Sequence, residues 1–102
     1  MARLLVLYHA PKDGAAFDRY YTSTRIPIAK KIPGLRKYDV STGGVATPAG
    51  PSKIHLVATL YFDSVADIQN AFASPEGQAA AADLANFADG GADMYILDTV
   101  EV

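Results

Sequence analysis

The sequence contains no cysteine. That excludes a disulfide framework, thiolate zinc sites, iron–sulfur clusters and thiol nucleophiles. It contains no tryptophan and only two histidines, His9 and His55. With no third ligand beyond Asp13 in view, a metal site is not expected. No long apolar run occurs. Leu4-Leu5-Val6-Leu7-Tyr8 is too short for a signal segment or a membrane span. No G-x-G-x-x-G or Walker pattern is found, so the chain is expected to carry no nicotinamide, flavin or nucleotide cofactor of its own. No nucleophile elbow surrounds its serines, which argues against a Ser/His/Asp triad. Lysine and arginine are absent after Lys53.

What is present fits one globular domain spanning residues 1–102. Of the 102 residues, 50% are hydrophobic, 20% charged and 10% aromatic, so bulk disorder is excluded. A formal net charge of −2 disfavours general nucleic-acid binding. A cytoplasmic location is the expectation. The charge is unevenly placed. Residues 1–53 hold all nine Lys and Arg with three acids, or +6; residues 54–102 hold eight acids, or −8. A solvated basic helix end, an anionic ligand near Arg25, or complementarity between protomers would each account for this split.

Hydrophobic periodicity orders the elements. Residues 2–10 read as a strand, apolar on both parities. Asp13-Gly14 opens a helix whose apolar positions (Phe17, Tyr20/Tyr21, Thr24, Ile28, Ile32) recur at helical spacing. Pro27 lacks an N–H and crowds the Ser23 carbonyl, which predicts a kink or restart near Arg25–Pro27. Leu35–Thr42 reads as a second strand, and residues 42–52 as a loop about ten residues long without an element. Ile54–Phe62 is the strongest strand. Ser64 caps a short helix, Ser74-Pro75-Glu76 opens a second one ending at Gly90-Gly91, and Asp93–Val100 is the last strand.

This order, β-α-β-β-α-α-β, is the α+β, ferredoxin-like arrangement: one antiparallel four-stranded sheet with helices on one face. Its central strands are apolar on both faces. Leu4, Val6 and Tyr8 alternate with Leu5 and Leu7; Leu56, Ala58, Leu60 and Phe62 alternate with Val57, Thr59 and Tyr61. A lone domain would expose roughly several hundred Å² of apolar sheet, more than soluble monomers usually tolerate. At ~25 cal/mol per Å², covering it with a second copy contributes on the order of ten kcal/mol before association costs. A homodimer through the open sheet face is therefore expected.

The segment YYTSTRIPIAKKIPGLRKYDV (20–40) resembles the EthD family, named for ethyl tert-butyl ether degradation, within the dimeric α/β-barrel superfamily. Tyr21, Pro27, the run Lys30 to Leu35 and Tyr38 carry the resemblance. FDSVADIQNAFASPEGQAAAADLANFA (62–88) is similar to the same family. The resemblance implies the dimeric barrel fold and pocket residues on the first helix. Members commonly have His at the position of Arg25, in the pattern Tyr-x-x-x-His-x-Pro. Histidine can shuttle a proton near neutral pH, whereas arginine keeps its charge. Arg25 is suited instead to holding a carboxylate, phenolate or enolate oxygen.

Topology brings the ends of the central strands together. Tyr8-His9 is expected near His55, with Tyr38 and Tyr61 at the opposite edge. The first helix would run from Phe17 near Tyr8 to Arg25 near Tyr38 and Tyr61. Candidate catalytic residues are thus Arg25, as oxyanion holder, and His9, as a base at the pocket rim. Candidate substrate-binding residues are Tyr8, Tyr21, Tyr38, Tyr61 and Phe17. Structural alternatives remain: Arg25 paired with Asp18 or Asp39, and tyrosines serving as core. Three functions fit: a cofactor-independent isomerase, cyclase or oxygenase-like catabolic enzyme acting on a small cyclic, aromatic or polyketide-like compound; an oxidoreductase-associated protein or accessory that binds a small hydrophobic anion; or a structural dimer.

Overall fold

The computed structural model describes residues 1–102. β1 (Ala2–His9) leads into α1 (Gly14–Tyr20), a π-helical turn (Tyr21–Arg25) and α2 (Ile26–Ala29). β2 (Lys37–Val40), a small hairpin of β3 (Ala46–Thr47) and β4 (Gly50–Pro51), and β5 (Ile54–Phe62) follow. The chain closes with α3 (Val65–Ala73), α4 (Pro75–Phe87) and β6 (Ala92–Asp98). The four-stranded sheet has the order β2-β5-β1-β6, antiparallel throughout. This is the ferredoxin-like architecture expected from the element order. No helix is long and apolar enough to cross a membrane.

Local chemistry sets the helix ends. The Asp13 carboxylate accepts the Ala16 N–H at 3.0 Å, and the Ser64 hydroxyl accepts that of Asp67 at 3.1 Å. Ser74 separates two helices. Its hydroxyl accepts the Gly77 N–H at the start of α4 and donates to the Ala71 carbonyl at the end of α3. The helices meet so closely there that a Cβ on Gly77 would fall 2.0 Å from that carbonyl oxygen. Glycine is the one residue that fits.

Pro27 acts differently from a simple kink. The Ile26 N–H bonds the Tyr21 carbonyl, one residue further back than in an α-helix. This wider turn ends just before the proline that lacks a donor. It buries both Tyr21 and Arg25 on the sheet side. The loop expected over 42–52 contains the β3–β4 hairpin, held by the Thr47 hydroxyl on the Gly50 carbonyl at 3.0 Å and by Gly50 at φ 135°. The second strand is shorter than expected at Lys37–Val40, and the last strand ends at Asp98.

The core lies on one side of the sheet. Alternate residues of β1 (Ala2, Leu4, Val6, Tyr8) and of β5 (Ala58, Leu60, Phe62) are buried beneath the helices. The opposite parity, with Leu5, Leu7, Val57 and Thr59, is only half-buried, and Tyr95 beside Leu5 is 56% exposed. The molecule is 18 Å through its shortest dimension. That is two layers, since a helix is about 10 Å across and rides about 10 Å from a sheet. The chain leaves this second sheet face bare.

Candidate functional site

Phe17, Tyr21 and Arg25 project from α1 and the π turn onto the sheet. The Tyr8 ring meets Phe17 edge-on at 5.4 Å and Tyr21 at 5.6 Å; Phe87 of α4 closes the cluster at 5.3 to 5.8 Å from all three. Tyr8 is 1% exposed and Tyr21 2%. The Tyr21 hydroxyl contacts the Tyr38 hydroxyl on β2. Burial pushes the Tyr8 phenol up from its ordinary pKa, and the Arg25 charge offsets this only in part. Tyr21 is pushed up further, by burial and then by Tyr8 and Tyr38. Burial also raises Tyr38. All three therefore stay protonated and remain hydrogen-bond donors at neutral pH.

Arg25 lies behind these phenols, 6% exposed. Its guanidinium bonds the Ala80 carbonyl and the Asp83 carboxylate at 3.4 Å, with the Phe87 ring 5.4 Å away. Tyr20 donates to the other Asp83 oxygen at 2.5 Å, as does Asn86 at 3.1 Å. Burial alone would raise the Asp83 pKa. The hydrogen bonds from Tyr20 and Asn86 and the Arg25 charge outweigh it and hold the carboxyl below its usual range. Arg25 thus pairs with neither Asp18 nor Asp39. Its partner is an acid of α4, across the helix layer. The enclosed space lined by Tyr8, Tyr21, Arg25 and Tyr38 measures about 10 Å³, the scale of a single water.

A larger groove lies on the other side of Tyr21. It has a volume of about 440 Å³ and runs between α1, the π turn and the ends of β2 and β5. That is the size of a small-molecule site. Tyr21 belongs to both spaces and forms the wall between them. Ile26, Val40 and Leu56 give the groove apolar sides. Thr22, Ser41, Asp18 and His55 give it polar ones. His55 Nε2 and Asp18 Oδ1 are 2.8 Å apart, and the imidazole packs edge-on against Phe17 at 4.9 Å. An ionised carboxylate only accepts, so Nε2 is the donor of this bond.

Five of the residues selected from sequence converge: Tyr8, Phe17, Tyr21, Arg25 and Tyr38. Two do not. His9 follows Tyr8 in β1, so strand alternation turns it to the bare face, where it bonds Asp93 at 2.8 Å. It does not reach the groove. Tyr61 pairs with Arg3 and Lys37 in the strand register, whereas Tyr38 pairs with Leu60. Tyr61 therefore also faces the bare side, donating to Asp39 at 2.9 Å between the charges of Arg3 and Lys37.

The His55–Asp18 pair and Asp83 are the residues that sequence reasoning missed. A β-bulge accounts for His55. Tyr8 pairs with Leu56 but His9 with Ile54, so His55 is the extra residue of β5 and turns to α1. Gly14 makes room for it, since a Cβ there would fall 3.2 Å from the imidazole. Asp83, in an alanine-rich helix, carries one signal: an acid one turn before Phe87 on the face that meets the first helix.

Comparison with known proteins agrees with this frame. Residues 9–91 match the EthD domain. The chain is 42% identical over 98 residues to an uncharacterized 11.0 kDa protein from the thcB-thcC intergenic region of Rhodococcus erythropolis, covering 96% of this chain and 94% of that one. It superimposes on an EthD family protein of Bacillus halodurans C-125 with a TM-score of 0.89 at 36% identity, covering 98% and 99% of the two chains. The cofactor-independent oxygenase SnoaB of Streptomyces nogalater shares the fold, at a TM-score of 0.66 and 13% identity over 99% and 94% of the chains. With its sequence match across most of the chain and the full fold of a solved member, the protein belongs to the EthD family.

Proposed function

We propose that this EthD-family protein binds a small cyclic or aromatic compound in the groove beside Tyr21 and moves a proton on it with the His55–Asp18 pair, without a cofactor of its own. The single observation that carries this reading is the 2.8 Å His55–Asp18 contact at a groove of about 440 Å³ whose inner wall is Tyr21. A carboxylate that fixes an imidazole in one tautomer prepares it for proton transfer. SnoaB, which shares the fold, is a cofactor-independent oxygenase. That supports cofactor-free chemistry on this scaffold. The working form is a homodimer joined through the bare sheet face, because Leu5, Leu7, Val57 and Tyr95 need cover that one chain lacks.

Non-catalytic capture, as an accessory to an oxidative catabolic pathway, is the second reading. One observation favours it: Arg25, the strongest charge near the phenols, is already neutralised by Asp83.

The test is a screen of small cyclic and aromatic ketones, phenols and lactones, read by chemical-shift changes of the His55 and Tyr21 signals. The enzymatic reading expects binding in the wild type and turnover that disappears in His55→Gln. Binding without turnover supports the accessory reading. If no compound shifts either signal, the groove is not the site.

A further inference from the structure

We infer that the outer edge of β6 is a docking surface for β6 of a second copy, paired antiparallel about a twofold axis at Tyr95, with Met94 of one copy opposite Ile96 of the other. This surface is separate from the groove and from the bare sheet face.

The two edges of the sheet are built differently. β2 is four residues long and carries Lys37 and Asp39, exposed charges of the kind that keep an edge from pairing. β6 is seven residues long and contains no lysine and no proline. Its register with β1 runs without a bulge. It is also apolar and open on both sides. Tyr95 is 56% exposed on the bare side. Met94 and Ile96 lie opposite Val6 and Leu4, on the helix side, yet are 40% and 49% exposed. There α3 stops short of the edge and leaves an apolar groove of about 430 Å³ lined by Leu4, Phe72, Met94 and Ile96. A second copy laid on the bare face covers Tyr95 but not Met94 or Ile96, which point the other way.

The backbone has a defined direction at this edge. Thr99 donates to the Met1 carbonyl at 3.1 Å, and the Met1 amine donates to the Thr99 carbonyl at 3.2 Å. At the other end His9 donates to the Gly91 carbonyl at 3.0 Å. Bonded and non-bonded pairs alternate along antiparallel strands. Asp93, Tyr95 and Leu97 therefore bond inward to β1. Ala92, Met94, Ile96 and Asp98 turn their N–H and C=O groups outward.

That outward set is self-complementary. With Tyr95 opposite Tyr95, Met94 falls opposite Ile96 and Ala92 opposite Asp98, so every outward residue meets another outward residue. A slip of one residue opposes outward groups to inward ones, and a slip of two loses part of the overlap. In the centred register Asp93 faces Leu97 and Asp98 faces Ala92, so no acid faces an acid. The four exposed side chains of Met94 and Ile96 from the two copies come together on the helix side. The twofold axis of this contact stands normal to the sheet, whereas a face-to-face contact needs one lying parallel to it. The two contacts use different surfaces, and the edge joins one face-to-face dimer to another. Two strands of this length bury well under the roughly 1,200 Å² of a standard stable interface, so the edge contact is weak and is read at about 0.5 mM protein, far above micromolar.

The chain has no cysteine, so single cysteines report the register directly. Full-length Met94→Cys and Ile96→Cys proteins are oxidised mildly, each alone and as an equal mixture, and the linked species are identified by mass. Both positions are exposed, so the fold tolerates the change. Opposed bonded residues are about 5.5 Å apart at Cα, within disulfide reach, whereas Met94 lies diagonal to Met94 at roughly 7–8 Å, beyond it. The mixture is expected to give a Met94→Cys/Ile96→Cys link at least about tenfold more abundant than the self-link of either variant. In the wild type, the Met94 and Ile96 amides should gain protection from hydrogen exchange as concentration rises, with little change at the already bonded Tyr95 and Leu97 amides. Self-links as abundant as the mixed one overturn the inference, as does the absence of any link. It falls too if the Met94 and Ile96 amides respond only to an added extended peptide of unrelated sequence, since the edge then takes foreign strands. None of these outcomes touches the groove reading.

Discussion

Tyr8 and Leu7 are neighbours in one strand. Tyr8 is 1% exposed beneath α1 and Phe87, while Leu7 faces the bare side of the sheet. The two faces are built from the same strands and both are rich in apolar residues. They differ in what closes them. The covered face ends in buried polar groups paired with one another, Arg25 with Asp83, Asp83 with Tyr20 and Asn86, Tyr21 with Tyr38, and leaves Arg25 Nε without a partner. The bare face carries exposed pairs at its margins, His9 with Asp93 and Tyr61 with Asp39, around half-buried leucines and valine. A buried polar network paired mostly within itself marks an interior closed by its own chain. Exposed pairs ringing an apolar centre mark a surface built like a protein–protein interface.

The largest effect is expected where the covered face is most committed. In Asp83→Ala the Arg25 guanidinium stays buried with one carbonyl and no counter-charge. The expected loss is about 3–5 kcal/mol of stability, read by denaturant unfolding. Replacing both partners, Arg25→Met with Asp83→Leu, should recover most of that loss, because no unpaired charge remains. If Asp83→Ala alone costs under ~1 kcal/mol, the pair is not what fastens α4 to the π turn.

That network also explains which parts of the molecule were legible in sequence. Strand alternation and helical spacing depend on near neighbours, so β1, β5 and the Tyr21/Arg25 stripe could be read directly. The kink at Pro27 could be anticipated, but its form could not. A missing N–H permits either a bend or a π turn, and burial of Tyr21 decides between them. Arg25 was legible as a cation on the sheet-facing stripe, expected to hold a ligand oxygen or to pair with Asp18 or Asp39. Asp83 was not legible as its partner, because 58 residues separate them and only the packing of α4 on the π turn joins them. His9 and Tyr61 were assigned to the correct ends of the sheet but not to their faces. Which side a strand end presents depends on register, and one bulge at His55 changes it.

The bare face gives the second prediction. Leu7→Glu should leave the fold nearly intact, since a half-buried surface position costs little when it becomes polar. It should convert a dimer into a monomer in sedimentation at micromolar concentration. Val6→Glu, one residue away on the covered face, should abolish folding, because it buries an unpaired carboxylate at a position 3% exposed. Equal outcomes for the two variants would remove the distinction between the faces. A wild-type monomer would remove the dimer.

The smallest effect separates the faces by pH. Asp83 is held below its ordinary pKa in the folded state. It therefore contributes stability that is present above the unfolded value near ~3.9 and lost as pH falls through the folded one. Tyr8, Tyr21 and Tyr38 are raised by burial. Their contribution is present below about pH 10 and lost as pH rises toward their folded values. Both limbs belong to the covered face. Asp83→Asn should flatten part of the acid limb and leave the alkaline limb unchanged. Tyr38→Phe should flatten part of the alkaline limb and leave the acid one unchanged. Asp93→Asn, on the bare face, should alter neither slope as much, because the Asp93 side chain is 52% exposed and solvent screens its contact with His9. Urea midpoints measured across pH for these three variants would resolve the differences. A bare-face substitution that flattened a limb as strongly as Asp83→Asn would mean that the polar pairs at the sheet margins are as enclosed as those beneath the helices. That could arise only if the dimer covers them as well.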